Sequence, residues 1–165
     1  MLSPRLEIAP AERADVIIDF SKSAGANLVL SEKPMADGRV MQVLNGKEWT
    51  DPITERVRAG SAEMWYLVNN TPSAHSFHVH LVQFQIIDRR PFNRDEYEKI
   101  KQIVFSGEAV AAEPNEQGWK DTVKMPAGFV TRIIMRFPDK RGFYAYHCHI
   151  LEHEDMDMMR PFEVY

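Results

Sequence analysis

The chain has 165 residues, a length typical of one domain with a substantial hydrophobic core. Its 20 basic and 24 acidic side chains leave a formal net charge of −4, which argues against a nucleic-acid groove or an anionic membrane surface as partner. No run approaches the roughly 18 apolar residues of a membrane span, and the first residues lack the charged-then-apolar pattern of a signal peptide, so neither is expected.

Short runs of apolar and β-branched residues, separated by glycine and proline turns, predict a chain built mostly of strands. The predicted strands are residues 16–20, 28–30, 40–44, 64–68, 77–88, 130–137 and 143–150. Asn45-Gly46 is a hairpin signal, and residues 126–128 supply a turn before the strand that follows. Residues 93–104 predict a surface helix, and residues 109–118 an irregular loop. Strands at this spacing favour a sandwich or a barrel.

Every histidine and the only cysteine lie in two short segments, H-S-F-H-V-H and H-C-H-I-L-E-H. These residues are His75, His78, His80, His147, Cys148, His149 and His153. Histidines that serve packing or solubility would be scattered, and a single His-x-His pair is usually of that kind. Two such pairs, one of them enclosing a cysteine, indicate a transition metal and favour copper or zinc.

Alternation along a strand divides these ligands between two metal locations. His147 and His149 project to one face of their strand and Cys148 to the other, and His78 shares a face with His80 in the same way. The backbone on either side of Cys148 joins the two locations covalently. It is a natural electron path between a thiolate-bound metal and a histidine-bound one.

The spacing of residues along the chain indicates which side chains could join Cys148 at its metal location. His153 and Met158 follow five and ten residues later on a short loop, and His75 can supply a second imidazole from the neighbouring strand. Two histidines, a cysteine and a weak axial methionine form the blue-copper ligand set. Zinc is the rival metal, although zinc sites built with cysteine usually hold several thiolates.

The longer segments H-S-F-H-V-H-L-V-x-F-x-I-I-D-R-R-P-F and Y-H-C-H-I-L-E-H-E-D-M-D-M-M-R-P resemble the C-terminal cupredoxin domain of multicopper oxidases. The likeness is to the bacterial spore-coat laccase and bilirubin-oxidase group. Residues 118–122 and 8–13 resemble further segments of those proteins, so the resemblance covers nearly the whole chain. It implies an all-β, cupredoxin-like Greek-key β-sandwich with the copper loops at one end.

The resemblance implies a type 1 copper site at His75, Cys148 and His153, with Met158 as the axial ligand. In the family this copper takes single electrons from phenols, aromatic amines or bilirubin. The link between cysteine and histidine then passes the electrons to a trinuclear copper cluster that reduces dioxygen to water.

The resemblance also assigns the His-x-His residues to that cluster. His78 matches the type 2 copper ligand, whereas His80, His147 and His149 match type 3 ligands. Glu154 matches an acidic residue that the family places near the cluster, where it assists proton delivery to oxygen.

The chain departs from the family in two ways. The full enzymes contribute two further His-x-His motifs from an N-terminal cupredoxin domain, and this sequence has neither, so half of the cluster ligands are missing. The region between Leu30 and Val40 also looks much shorter than its counterpart. We therefore predict a trimmed or engineered single cupredoxin domain over residues 1–165. Residues 1–38 would be strands from the preceding domain plus a short linker, and residues 39–165 the copper-binding core.

Three functions compete at this point: a laccase-like oxidoreductase domain, a one-electron blue-copper carrier, and a non-redox copper or zinc binding module. The expected partners are a phenolic or aromatic-amine reductant and dioxygen. The missing cluster ligands would come from an absent N-terminal cupredoxin domain or from a second copy in a metal-mediated homodimer. Family members are spore-coat or extracytoplasmic proteins, but the sequence itself assigns no compartment.

Overall fold

The computed structural model of the protein describes residues 25–36 and 40–165, so the predicted strand 16–20 lies outside the described part. The strands within it are β1 (Gly25–Pro34), β2 (Val40–Leu44), β3 (Arg56–Val57), β4 (Ala62–Asn69), β5 (His75–Val79), β6 (Phe84–Pro91), β7 (Val110–Ala111), β8 (Thr122–Met125), β9 (Phe129–Arg136), β10 (Gly142–Cys148) and β11 (Met159–Val164). Two short helices, α1 (Arg94–Ile100) and α2 (Leu151–Asp155), and one 3₁₀ turn (Pro114–Glu116) complete the described elements.

The strands form two sheets that enclose one main core. The six-stranded sheet has the order β2-β1-β4-β9-β6-β7, and the five-stranded sheet has the order β3-β11-β10-β5-β8. Pairing is antiparallel except between β1 and β4 and between β3 and β11. The all-β sandwich expected from the strand spacing is therefore confirmed.

A cluster of aromatic rings fills the space between the two sheets. Trp65 of β4 lies 5.8 Å from the ring of Tyr146 and 6.0 Å from the rings of Phe137 and Phe162. All four side chains are fully buried, and each such ring pair adds about 0.5–1.5 kcal/mol to the free energy gained by burial. Because Tyr146 is two residues from Cys148, this packing fixes the strand that carries the candidate ligands.

Strand β1 is an integral part of the sandwich. Its residues Leu28 and Leu30 are buried in the main core, and it pairs with both β2 and β4. The turn predicted at Asn45-Gly46 follows β2, and both of its residues have positive φ angles, 54° and 66°. The origin of this N-terminal segment in a preceding domain stays a prediction.

The predicted strand 77–88 is wrong, because this run is divided between the two sheets. β5 ends at Val79 and β6 begins at Phe84 in the other sheet. Between them Leu81 adopts a left-handed conformation with φ 76°, which ends the pairing of β5. The alternation of apolar residues changes phase at this switch, because Leu81 and Val82 are adjacent. A strand prediction that joins the run across this pair therefore misses the break.

The other predicted elements differ mainly at their ends. Helix α1 is shorter than residues 93–104: Asn93 caps its first turn by accepting a hydrogen bond from the Glu96 N–H, and left-handed Lys101 ends it. The loop 109–118 contains the two-residue strand β7 and the 3₁₀ turn. Neither α1 nor α2 is long and apolar enough to cross a membrane.

Glu63 of β4 places a carboxyl group in the core. It is 3 % exposed and accepts a hydrogen bond of 2.8 Å from Trp65 Nε1. Burial raises its pKa above the usual 4.5, although the bond from Trp65 opposes the shift. A carboxyl whose folded pKa lies above its unfolded value stabilises the fold at low pH, and this contribution is lost as pH rises through the folded pKa.

We expect Glu63→Gln to leave the protein as stable as wild type at about pH 7, or more stable. The amide oxygen can still accept from Trp65, and the variant buries no charge. Its stability should also depend less on pH between about 5 and 7 than that of wild type. Urea unfolding followed by tryptophan fluorescence at both pH values measures this, with Glu108→Gln at an exposed position as the control. A loss on the order of 1 kcal/mol or more at pH 7 would contradict the expectation.

Candidate metal centres

The pairing of β5 with β10 brings the two ligand segments side by side. Cys148 lies opposite Phe77, and His147 lies opposite His78. The amide N–H of His149 extends the contact by donating to the Ser76 carbonyl at 2.6 Å. Side chains of both strands therefore meet on each face of the sheet, with Cys148 on the core side.

On the core side, three donor atoms surround one point. Cys148 Sγ lies 3.6 Å from His75 Nδ1 and 3.6 Å from His153 Nδ1, and the two nitrogens are 3.1 Å apart. The centre of this triangle is about 2.0 Å from each atom, close to the metal–nitrogen bond of about 2.0–2.1 Å and slightly short of a metal–sulfur bond of about 2.3 Å. We call His75, Cys148 and His153 the cysteine group.

The loop after Cys148 folds back to close this group. The Cys148 N–H donates to the Met158 carbonyl, and the Met158 N–H donates to the His153 carbonyl, both at 3.0 Å. Asp157, just before Met158, adopts a left-handed conformation with φ 77°. Met158 is fully buried, and its backbone carbonyl is hydrogen-bonded to Cys148; its role as the axial ligand stays a prediction.

Burial favours the neutral forms of two donors of the cysteine group, His75 and Cys148, in the absence of a cation. It lowers the pKa of His75 to about 4, helped by repulsion from His153, so this imidazole offers a lone pair at neutral pH. Burial also raises the pKa of the Cys148 thiol, whose proton must leave when a metal binds. One soft sulfur with two imidazoles is the donor set of copper, and the geometry fits that ion.

The opposite side of the strands carries a second group, which we call the histidine face: His78, His80, His147 and His149. Donor atoms of the first three lie within 4.8 Å of one another, and His80 Nε2 is 3.2 Å from His147 Nε2. Two imidazole lone pairs at this distance repel unless a cation or a proton lies between them. His149 is exposed, with its ring 5.3 Å from that of His147.

Hydrogen bonds orient the rings of the histidine face. His78 Nδ1 lies 2.9 Å from the Asp121 carbonyl and 3.0 Å from Thr122 Oγ1, so this nitrogen carries the proton and Nε2 stays available to a metal. The pKa of His80 is lowered by burial and by its neighbours His78 and His147. Asp121 and Thr122 were missed by sequence reasoning, because their only signal is strand pairing with β5.

Comparison with known proteins identifies the family. The family model described as multicopper oxidase matches residues 21–165. The chain belongs to the multicopper oxidases. It is 38% identical to a laccase of Bacillus stratosphericus and 34% identical to a laccase of Bacillus subtilis strain 168, in each case over 95% of the chain.

Solved structures of multicopper oxidases share the fold. A laccase from Pediococcus acidilactici Pa5930 superposes with a TM-score of 0.69 at 31% identity, over 99% of this chain and 32% of that one. The McoA multicopper oxidase of Aquifex aeolicus superposes with a TM-score of 0.70 at 23% identity, over 93% and 32% of the two chains, and shows the fold alone. The sandwich is therefore cupredoxin-like, as the motifs predicted.

This multicopper oxidase chain spans only 42% of the length of the two Bacillus laccases. The matched region is 215 residues long, more than the 165 residues of the whole chain, so these relatives carry residues that it lacks. Copper is the cofactor of this family, and the donor set of the cysteine group fits it. The chain is a copper-binding oxidoreductase domain that resembles laccases.

Helix α2 places the Glu154 carboxylate beside His147 of the histidine face. Its carboxylate oxygen lies 3.3 Å from His147 Nδ1, which is also 3.2 Å from the Cys148 carbonyl. Both neighbours of this nitrogen accept hydrogen bonds, so Nδ1 carries the proton and Nε2 faces His80. Glu154 thus contacts a histidine of the face, and its role in proton delivery stays a prediction.

We expect Cys148→Ser to abolish the blue colour of the copper-loaded protein, because a serine oxygen cannot provide the soft thiolate donor. Met158→Leu is the matched comparison: it removes only a weak axial donor, so the colour should persist while the reduction potential rises. Visible absorption and spectroelectrochemistry measure the two effects. A colourless wild-type protein that holds one equivalent of Cu(II) would refute the assignment of the cysteine group.

Proposed function

We propose that this chain is the electron-accepting half of a laccase-type oxidase. One observation carries the proposal: adjacent residues at the end of β10 belong to different ligand groups. Cys148 belongs to the buried cysteine group, and its neighbours His147 and His149 belong to the histidine face. Bound copper would supply one-electron redox chemistry at the cysteine group and dioxygen reduction at a completed histidine face. Two peptide bonds join the groups, so an electron accepted at one has a short covalent path to the other.

The residues around His153 supply a docking position for the reductant. His75 and Cys148 are buried, whereas half-buried His153 contributes to the wall of a cavity of about 410 Å³. The other lining residues are Glu32, Val40, Gln42, Glu152 and Met156. This volume is in the range of small-molecule sites, and the mixed apolar and polar lining suits a phenol or an aromatic amine.

The strand register explains how this cavity is built. Glu32 and Gln42 lie directly opposite each other on β1 and β2, and Val40 is two residues from Gln42 on the same face. The β1–β2 pair thus forms one wall, and α2 with His153 forms the other. The aromatic ring of a reductant bound between these walls would lie against the edge of the His153 imidazole, the one member of the cysteine group that reaches the surface.

Val40→Trp tests the docking position. The larger side chain should fill part of the cavity and slow the anaerobic bleaching of the blue band by phenols several-fold, without changing the absorption spectrum. Stopped-flow absorption measures the rate. Val110→Trp, at an exposed position on β7, is the matched control and should behave as wild type. Equal rates for both variants would place the reductant elsewhere.

Glu154 has the position of a proton donor on the acceptor side. Its carboxyl contacts His147 Nδ1, on the ring whose Nε2 points to His80. A carboxyl group in this position can hold a proton and deliver it to oxygen at the histidine face. The alternative function is a one-electron blue-copper carrier, and the observation that favours it is that the chain has no further His-x-His pair.

We also propose that a second copy of the chain completes the histidine face. One copy supplies two His-x-His pairs, so a twofold dimer would supply four pairs, the number that the family's trinuclear cluster uses. The face borders an open cavity of about 390 Å³ lined by residues 78–83 and Asp121. Trp119 and Leu151 are exposed and lie within two residues of Asp121 and His149 along the chain, so we expect them to add apolar surface to such a contact.

Metal should drive this dimer, because a metal stabilises whichever assembly positions its ligands. We expect wild type to sediment as a dimer when saturated with copper or zinc and as a monomer without metal. The double variant His78→Ala/His147→Ala should stay monomeric in both states. A copper-saturated wild-type monomer, or equal dimerisation of the variant, would reject the shared face. The candidate partner would then be an N-terminal cupredoxin domain of the kind that the family's full enzymes carry.

A further inference from the structure

A buried threonine contacts the nitrogen of His75 that points away from the cysteine group. Thr71 Oγ1 lies 2.7 Å from His75 Nε2, whereas His75 Nδ1 is the atom that faces Cys148 Sγ. Thr71 is fully buried and His75 is 2 % exposed, so water does not compete for this hydrogen bond. Ser73 Oγ also approaches the same nitrogen, but only to 3.4 Å.

The direction of this hydrogen bond follows from Asn69, the last residue of β4. Asn69 Nδ2 lies 2.8 Å from the Ser73 carbonyl and 2.9 Å from the Met125 carbonyl. Carbonyls only accept, so the amide nitrogen must be the atom on this side and Oδ1 the atom that faces Thr71. The side-chain orientation of Asn69 is thereby fixed.

The Thr71 hydroxyl has acceptors for its proton on the side away from the histidine. Its Oγ1 lies 2.8 Å from Asn69 Oδ1 and 3.1 Å from the Ser73 carbonyl, and both of these atoms are acceptors. With its one proton directed to either of them, the hydroxyl oxygen accepts from His75, and the proton between the two residues belongs to His75 Nε2. The reverse direction would put the imidazole proton on Nδ1, the atom that faces the other members of the cysteine group.

We infer that Asn69 and Thr71 form a relay that fixes His75 as the Nε2-protonated tautomer and so presents Nδ1 as a metal ligand. Thr71 is a positioning residue, because it acts on the metal only through His75. The pairing of His75 with Met125 between β5 and β8 ties the relay to the sheet, since Asn69 donates to the carbonyl of that same Met125. The inference rests on the cysteine group as the copper site of the proposed function.

The relay has two consequences for bound copper. Thr71 accepts a hydrogen bond from His75 Nε2–H, which makes the imidazole a stronger donor to copper through Nδ1. Loss of such an outer partner weakens metal affinity about 10–100-fold. Cu(II) gains more than Cu(I) from a strong nitrogen donor, so the relay should hold the reduction potential down. Each tenfold loss that affects Cu(II) alone raises a one-electron potential by about 59 mV.

The first test needs no copper. Nitrogen-15 NMR of the copper-free wild-type protein should show His75 protonated at Nε2 and bare at Nδ1. In Thr71→Val, which keeps the shape but lacks the hydroxyl, the two tautomers should mix, and Thr71→Ser should restore the wild-type signal. A wild-type His75 that carries its proton at Nδ1 would overturn the relay, even if the valine variant failed to fold.

The second test uses the copper-loaded protein. Thr71→Val should weaken Cu(II) binding 10–100-fold and raise the reduction potential, whereas Thr71→Ser and the control Ser73→Ala should stay near wild type. A folded valine variant with wild-type tautomer, affinity and potential would reject the inference. Failure of the proposed function looks different: the tautomer result would stand, but phenols would not bleach the blue band.

Discussion

The rest of the structure depends on the pairing of β5 with β10. This one register places Cys148 opposite Phe77 and His147 opposite His78, and thereby creates both ligand groups at once. A shift of one residue would turn Cys148 toward the histidine face and His147 toward the core, because side chains alternate along a strand. Neither ligand group could then assemble, so any metal binding by this chain requires this register of β5 with β10.

The core enforces this register from within the sandwich. Tyr146 precedes the ligand pair His147 and Cys148, and its ring is held between Trp65 and the neighbouring aromatic side chains. Its hydroxyl donates to Glu55 at 2.9 Å, which satisfies the polar end of a buried side chain. Burial of this one tyrosine thus ties the end of β10 to both sheets.

Around the fixed register, the ligands are held by hydrogen bonds from different parts of the chain. Thr71 contacts His75, Asp121 contacts His78, and Glu154 contacts His147, each through the ring nitrogen that points away from the metal position. Such partners select the tautomer and the orientation of a ligand before any metal arrives. A rigid sandwich with preset imidazoles suits electron transfer, because little has to move when the charge of the metal changes.

The sequence by itself predicted the candidate ligands and determined the all-β class and the family, because both copper motifs are contiguous and strand alternation is a local property of the chain. It also determined that Cys148 and its flanking histidines must face opposite ways. Only the tertiary structure decided that Leu81 sends the chain from one sheet to the other, and that Thr71 and Asp121 orient ligands. The ligand contacts of Thr71 and Asp121 join residues that are remote along the chain or common in loops, so no periodic pattern marks them. They exist because two sheets pack in one register, and that register is a property of the folded molecule as a whole.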